Sequence, residues 1–204
     1  GKIKNTNSTI QIGKEKIPFI LPDSWCWCSV NELAILSTGD SINKDVKESK
    51  YRNVIEGHDY IGTKDVEFDC KGINYDNGVK IPFNEPNFNI ARKNSILICI
   101  EGGSSGKKMG MIDRDVCYGN KLLCSSFDEL LNPFYFYYVY QSKYFEKEFK
   151  SRSKGLRGGL ALNEFKTIVL PVTGSIVDLG SDSHILLQIK IDQRVYQTSL
   201  VFSR

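Results

Sequence analysis

"SILICIEGGSSGKKMGMID", residues 95–113, joins two apolar runs through a turn of glycines, serines and lysines. The first run, from Ile96 to Ile100, is continuous and rich in isoleucine, as a buried strand would be. The second, from Met109 to Ile112, resumes directly after the turn. The order is therefore strand, glycine-rich turn, strand. The rival reading is a phosphate cradle of the G-x-x-x-x-G-K-[ST] kind, whose turn offers N–H groups to phosphates and a hydroxyl to magnesium. Here three residues separate Gly102 from Gly106, two separate Gly103 from Gly106, and Lys108 stands where the hydroxyl belongs. Such a cradle also needs a helix N-terminus after it, and a strand-like segment follows instead. A hairpin in a sheet is the better reading.

On either side, short apolar runs alternate with Gly, Asn and Pro: Val54 with Ile55, Tyr60 with Ile61, residues 66–68, 79–81 after the turn Asp76-Asn77-Gly78, and 121–124. In "SWCWCSV" alternation puts Cys26, Cys28 and Val30 on one face of a strand and Trp25, Trp27 and Ser29 on the other. Residues 31–36 suit a short helix or strand ended by Gly39, and the polar run 41–52 is expected as a long loop. "LNPFYFYYVYQSKYFEKEFKSRSKG" differs: Asn132 is a helix cap followed by Pro133 at the first helical position. Phe134, Tyr138, Gln141, Phe145 and Phe149 recur near helical spacing, predicting one helix with an aromatic face up to Gly155. Core packing explains those aromatics better than base stacking. The fold class expected is mixed α/β: a twisted, largely antiparallel sheet with a packed aromatic-rich helix.

A chain of 204 residues that is 41% hydrophobic buries a core in one large or two small domains. A net charge of +3 permits an anionic partner without demanding one. No apolar stretch reaches the ~18 residues of a membrane span, and the polar N-terminal residues lack a signal-peptide core, so a cytoplasmic protein is expected. Six cysteines, at positions 26, 28, 70, 99, 117 and 124, include no Cys-x-x-Cys, and only His58 and His184 are present to complete a metal site. Reduced, mostly buried thiols are expected, with no metal and no cofactor. His58 lies beside Glu56 and Asp59 but near no nucleophile. "NPFY", residues 132–135, departs in its third position from the Asn-Pro-Pro-Tyr of amino-methyltransferases, and no Gly-rich cofactor strand accompanies it. No catalytic constellation survives.

Basic residues do gather. Lys107 and Lys108 sit on the glycine turn, and Lys143, Lys147, Lys150, Arg152, Lys154 and Arg157 surround only Glu146 and Glu148. Two readings stay open: phosphate contact with the salt-dependent attraction that dominates nucleic-acid affinity, or a solvated charged helix end beside a flexible turn.

The succession "IPFILPDSWCWCSVNELAILSTGD", "SILICIEGGSSGKKMGMIDRDVCYGNKL", "FYFYYVYQS" and "GLRGGLALNEFKTIVLP" resembles the target recognition domain of type I restriction–modification specificity subunits. Leu21, Pro22 and Trp25 match the family's opening motif, Gly103, Gly106, Gly110 and Asp113 its central hairpin, and Gly159, Leu160, Asn163 and Phe165 its closing motif. The similarity spans residues 17–171, leaving 1–16 as a connector or spacer remnant and 172–204 as an atypical C-terminal segment. The resemblance implies a non-catalytic α/β domain that reads one half of a bipartite double-stranded DNA site. It also implies partner methyltransferase and restriction subunits that carry the chemistry. The sequence departs from the family in holding one recognition domain, which fits a fragment, a truncated product, or a half-subunit that self-associates or pairs with another. Base-reading residues vary with the target in this family, so DNA-facing candidates rest on charge and loop position. They are Lys44, Lys47, Lys50 and Arg52; Ser104, Ser105, Lys107 and Lys108; Asn120 and Lys121; and Lys150, Arg152, Lys154 and Arg157. The usual Pro-Pro-Leu start of a spacer helix is missing after Pro171; a short spacer-like helix is expected only from about Ser183, where Leu186, Ile189, Tyr196 and Leu200 fit a heptad seam broken by Gln193.

Overall fold

The computed structural model describes residues 18–128, 131–154 and 159–173, with the backbone of 175–177 and 186–188. The hairpin is its centre: β6 (Ile96–Cys99) and β7 (Met109–Met111) pair antiparallel with Ile96 opposite Met111 and Ile98 opposite Met109. β9 (Leu122–Phe127) lies on the other side of β6, and β2 (Ala34–Thr38) beyond it, giving a four-stranded antiparallel sheet in the order β2-β9-β6-β7. All four residues of β6 are buried. Ile96 and Ile98 face the large core with the helices, whereas Leu97 and Cys99 face a second core toward the other sheet. A strand covered on both faces needs apolar residues at every position, which is why this run shows no alternation.

The second sheet has the order β4-β3-β8-β5, built from β3 (His58–Ile61), β4 (Lys80–Ile81), β5 (Ile90–Ala91) and β8 (Val116–Tyr118). Its pairs are antiparallel except β3 with β8, which run parallel. In place of the single sheet expected stand two four-stranded sheets, besides two-stranded ribbons, and the two larger ones stack through Leu97, Cys99, Val116, Tyr118 and Leu122.

β1 (Trp25–Ser29) pairs with β10 (Val169–Thr173), so strands from distant parts of the chain close on each other. The alternation read in "SWCWCSV" holds: the Cys26 and Cys28 sulfurs lie 3.7 Å apart on one face. All six cysteines are free thiols. α1 (Val30–Leu33) separates β1 from β2, so residues 31–36 are part helix and part strand. β10 continues through Thr173.

The aromatic segment forms two helices rather than one: α3 (Pro133–Tyr140) and α4 (Lys143–Arg152). Asn132 caps α3 by accepting from the Phe134 N–H at 2.9 Å, as the cap reading required. Ser142 ends one helix and starts the next. Its hydroxyl donates to the Val139 carbonyl at 2.6 Å and accepts from the Phe145 N–H at 3.2 Å. The aromatics do pack the core: Phe136 stacks on Phe127 at 4.1 Å and Tyr140 on Phe145 at 4.3 Å, with Phe149 and Phe165 of α5 (Leu162–Lys166) edge-on to the group. Phe134 and Tyr138, by contrast, are exposed.

Two further expectations are corrected. The supposed loop at 41–52 is helical: α2 (Lys44–Val46), capped by Asn43 accepting from the Asp45 N–H, runs into a π-helical turn (Lys47–Tyr51). Tyr51 gives that polar segment its anchor, buried among Tyr60, Val79, Ile81 and Cys117. The second correction concerns the spacer-like helix from about Ser183. Leu186–Gln188 is instead a strand, β12, antiparallel to β11 (Ser175–Val177), and it takes its backbone hydrogen bonds from that partner rather than from a helical turn. The remaining heptad positions, Ile189, Tyr196 and Leu200, lie outside the described residues, as do residues 1–16.

Candidate nucleic-acid interface

Strand register determines which loops share an end of the main sheet. Thr38 pairs with Leu123, Cys99 with Leu122, and Ile98 with Met109, so the chain leaves β2 and β6, and enters β7 and β9, at one end. The loop at 102–108 and the turn at 119–121 therefore lie side by side. Ile100 links them to a third segment: its N–H donates to the Lys121 carbonyl at 3.0 Å, and its carbonyl accepts from the Leu160 N–H at 2.9 Å. Lys154 joins there through its N–H to the Gly159 carbonyl at 2.9 Å.

The glycine loop itself is a tight 3-10 turn (Gly102–Ser104). Its return is fixed by the Gly106 N–H donating to the Cys99 carbonyl at 2.8 Å. Gly106 adopts a φ of 71°, and a Cβ there would stand 2.8 Å from the Phe149 ring. The glycine thus lets the loop lean on α4, which explains its presence without a phosphate.

The basic candidates divide by what holds them. Lys50 bonds Glu85 at 2.7 Å and Arg52 bonds Glu48 at 2.8 Å while also donating to the Asn77 carbonyl. Those hydrogen bonds raise the pKa of both cations. Lys150 bonds Glu146, Arg152 bonds Glu148 at 2.6 Å, and Lys154 bonds Glu164 at 3.1 Å. The Lys150 and Lys143 ammonium groups hold the Glu146 carboxyl below its usual range. Lys108 is half-buried, donates to the Thr63 carbonyl at 3.0 Å and lies 4.6 Å over the Phe68 ring. Lys47 lies 5.1 Å over the ring of Tyr60, whose hydroxyl donates to the Asp40 carbonyl and whose pKa burial pushes to about 12.

Among the described residues Lys44, Lys107 and Lys121 make no ion pair, and all three are exposed, as is Asn120. Ser104 turns the loop through its carbonyl, which accepts from Lys107 and Lys108, while the Ser105 hydroxyl is buried without a hydrogen-bond partner. Arg157 lies outside the described residues.

Sequence reasoning missed a fourth segment. The parallel pairing of β3 with β8 sets Ile61 beside Tyr118, and the Gly119 N–H donates to the Ile61 carbonyl at 2.9 Å. The turn at 62–65, with Thr63 and exposed Lys64, therefore reaches the same end of the molecule. Its Gly-Thr-Lys-Asp composition is a turn signal with a cation, but only the non-local pairing gives it its neighbours.

Other chemistry is sparse. His58 packs edge-on against Phe83 at 4.9 Å, and among the described residues no group of three or more His, Cys, Asp or Glu could hold a metal ion. Burial pushes Cys99 and Cys117 upward, Cys117 to about 12, so these thiols stay protonated and packed. No described helix is long and apolar enough to cross a membrane.

No family model matches the chain, and no curated protein matches it. Solved structures do. One is a chain from a study of complex assembly and conformational transition of the type I R-M system, with a TM-score of 0.60 and 17% identity over 91% of this chain. Another is the HsdS subunit from Thermoanaerobacter tengcongensis, with a TM-score of 0.58 and 18% identity over 92% of this chain. The fold is thus that of type I restriction–modification specificity subunits, as the motif succession implied. The chain spans 39% and 41% of the lengths of those two structures.

Proposed function

We propose that this chain is a non-catalytic domain that recognises double-stranded DNA by sequence, reading one half of a bipartite target within a type I specificity subunit. The observation that carries the reading is convergence: the loop at 102–108, the turns at 119–121 and 62–65, and the Lys154, Gly159 and Leu160 backbone are linked at one end of the molecule, and among the described residues Lys64, Lys107 and Lys121 on those turns make no ion pair. Clustered cations of this kind supply register on phosphates, and flanking polar groups such as Asn120 reach base edges. The likeness of fold to HsdS supports the same conclusion. In this reading methylation and cleavage belong to methyltransferase and restriction subunits, and the second half-site to another recognition domain, in the same subunit or in a paired copy. The protein works in the cytoplasm and uses no cofactor of its own.

Selection of bound fragments from a random duplex pool tests the reading. Enrichment of one sequence, with affinity falling as salt rises, is the expected result. A pool that returns unenriched, or binding indifferent to salt, would remove it.

A further inference from the structure

We propose that the turn at residues 62–65 is a phosphate-contacting element in its own right, with Lys64 as its contact and Lys108 as the brace that holds it. The inference rests on the DNA-recognition reading and assigns its electrostatic part to a segment that no motif marked.

Three observations carry it. The turn is rigid: the Gly62 N–H donates to the Asp65 carboxylate at 2.8 Å, and the Asp65 N–H donates to the Gly62 carbonyl at 3.0 Å. The Asp65 carbonyl also receives the Asn74 N–H at 2.7 Å, tying the turn to the arm that follows. It is braced from the glycine loop as well. The Lys108 ammonium, half-buried over Phe68, donates to the Thr63 carbonyl, so its charge is engaged inside the protein. Finally, Lys64 is exposed and no carboxylate among the described residues pairs with it, unlike Lys50, Arg52, Lys150, Arg152 and Lys154.

An ion-paired lysine that turns to a phosphate must first give up its carboxylate, whereas an unpaired one on a fixed turn gives up only water. The pre-set, unpaired cation therefore has the larger net gain on binding. Lys64 is a contact by this argument, and Lys108 is a positioning residue.

The two roles separate in the salt dependence of duplex binding by the full chain. A cation that contacts phosphate contributes ~0.9 to the slope of log affinity against log salt, and a brace contributes nothing to it. For Lys64→Ala both the affinity and the slope fall, the slope by ~0.9. For Lys108→Met affinity falls with the slope of the parent, and Lys108→Arg, which keeps the donor, restores binding. A parental slope in Lys64→Ala, a reduced slope in Lys108→Met, or Lys108→Met binding as the parent does would each overturn the assignment while leaving DNA recognition standing. A parent chain that binds no duplex would overturn both.

Discussion

Gly39 follows β2, where the chain crosses from the main sheet to the second, and it passes so close to β8 that a Cβ would stand 2.0 Å from the Tyr118 carbonyl oxygen. That atom is backbone and cannot swing away. Gly39→Ala is expected to cost about 3 kcal/mol, as overpacking of a fixed contact does. Gly103 in the glycine loop meets nothing within 4 Å and has no positive φ. Gly103→Ala should stay within about 0.5 kcal/mol of the parent in a urea titration. Equal midpoints for the two variants would contradict the close approach. Beside Gly39, the Tyr118 hydroxyl shares a 2.6 Å hydrogen bond with Ser37, and Tyr118→Phe should cost about 1 kcal/mol.

Between single residues and the fold stand the helices, and α3 and α4 show where sequence patterning stops informing. Asn132 and Pro133 mark a start unmistakably, and the aromatic spacing points to a buried face. The break at Gln141 and Ser142 left no such mark, because Gln-Ser-Lys suits the exposed side of an unbroken helix as well as a junction. What distinguishes the two is whether Ser142 accepts from Phe145. Ser142→Ala is expected to cost about 1 kcal/mol, measured by thermal unfolding; an unchanged midpoint would mean the cap contributes nothing. α4 also carries the ion pairs of Glu146 with Lys143 and Lys150. The Glu146 carboxyl is held low, so its contribution is present at neutral pH and is lost as pH falls through the carboxylate range. The parent should therefore melt slightly above Glu146→Gln at neutral pH, with the difference closing in acid; a gap that widened in acid would refute the sign. The pair is exposed and the effect small. The π-helical turn at Lys47–Tyr51 was illegible for another reason: one buried tyrosine among charged residues carries no periodicity.

At the scale of the whole molecule, the motifs gave the order of elements but not their meeting. Lys107 and Lys154 were legible as candidates because each sits in a basic, glycine-containing run, and Lys121 because it follows Gly119 and Asn120 in a turn between two apolar runs. Lys64 was not, because its place depends on a parallel pair between β3 and β8 that no local pattern encodes. A non-catalytic domain should also give no heat when titrated with ATP or S-adenosylmethionine; saturable heat would favour an enzyme. The pairing of β1 with β10 has a different consequence. Trp25 and Trp27 are the two tryptophans of the chain, and both lie on β1, Trp25 against Tyr135 and Trp27 against Phe19 and Tyr144. Among the described strand pairs, closing that ribbon requires the largest loop, and non-local pairs of this kind form late. Indole fluorescence is then an intrinsic reporter of one event. In a stopped-flow refolding experiment its change should lag the far-ultraviolet signal of the helices, timing the moment at which the two distant strands meet.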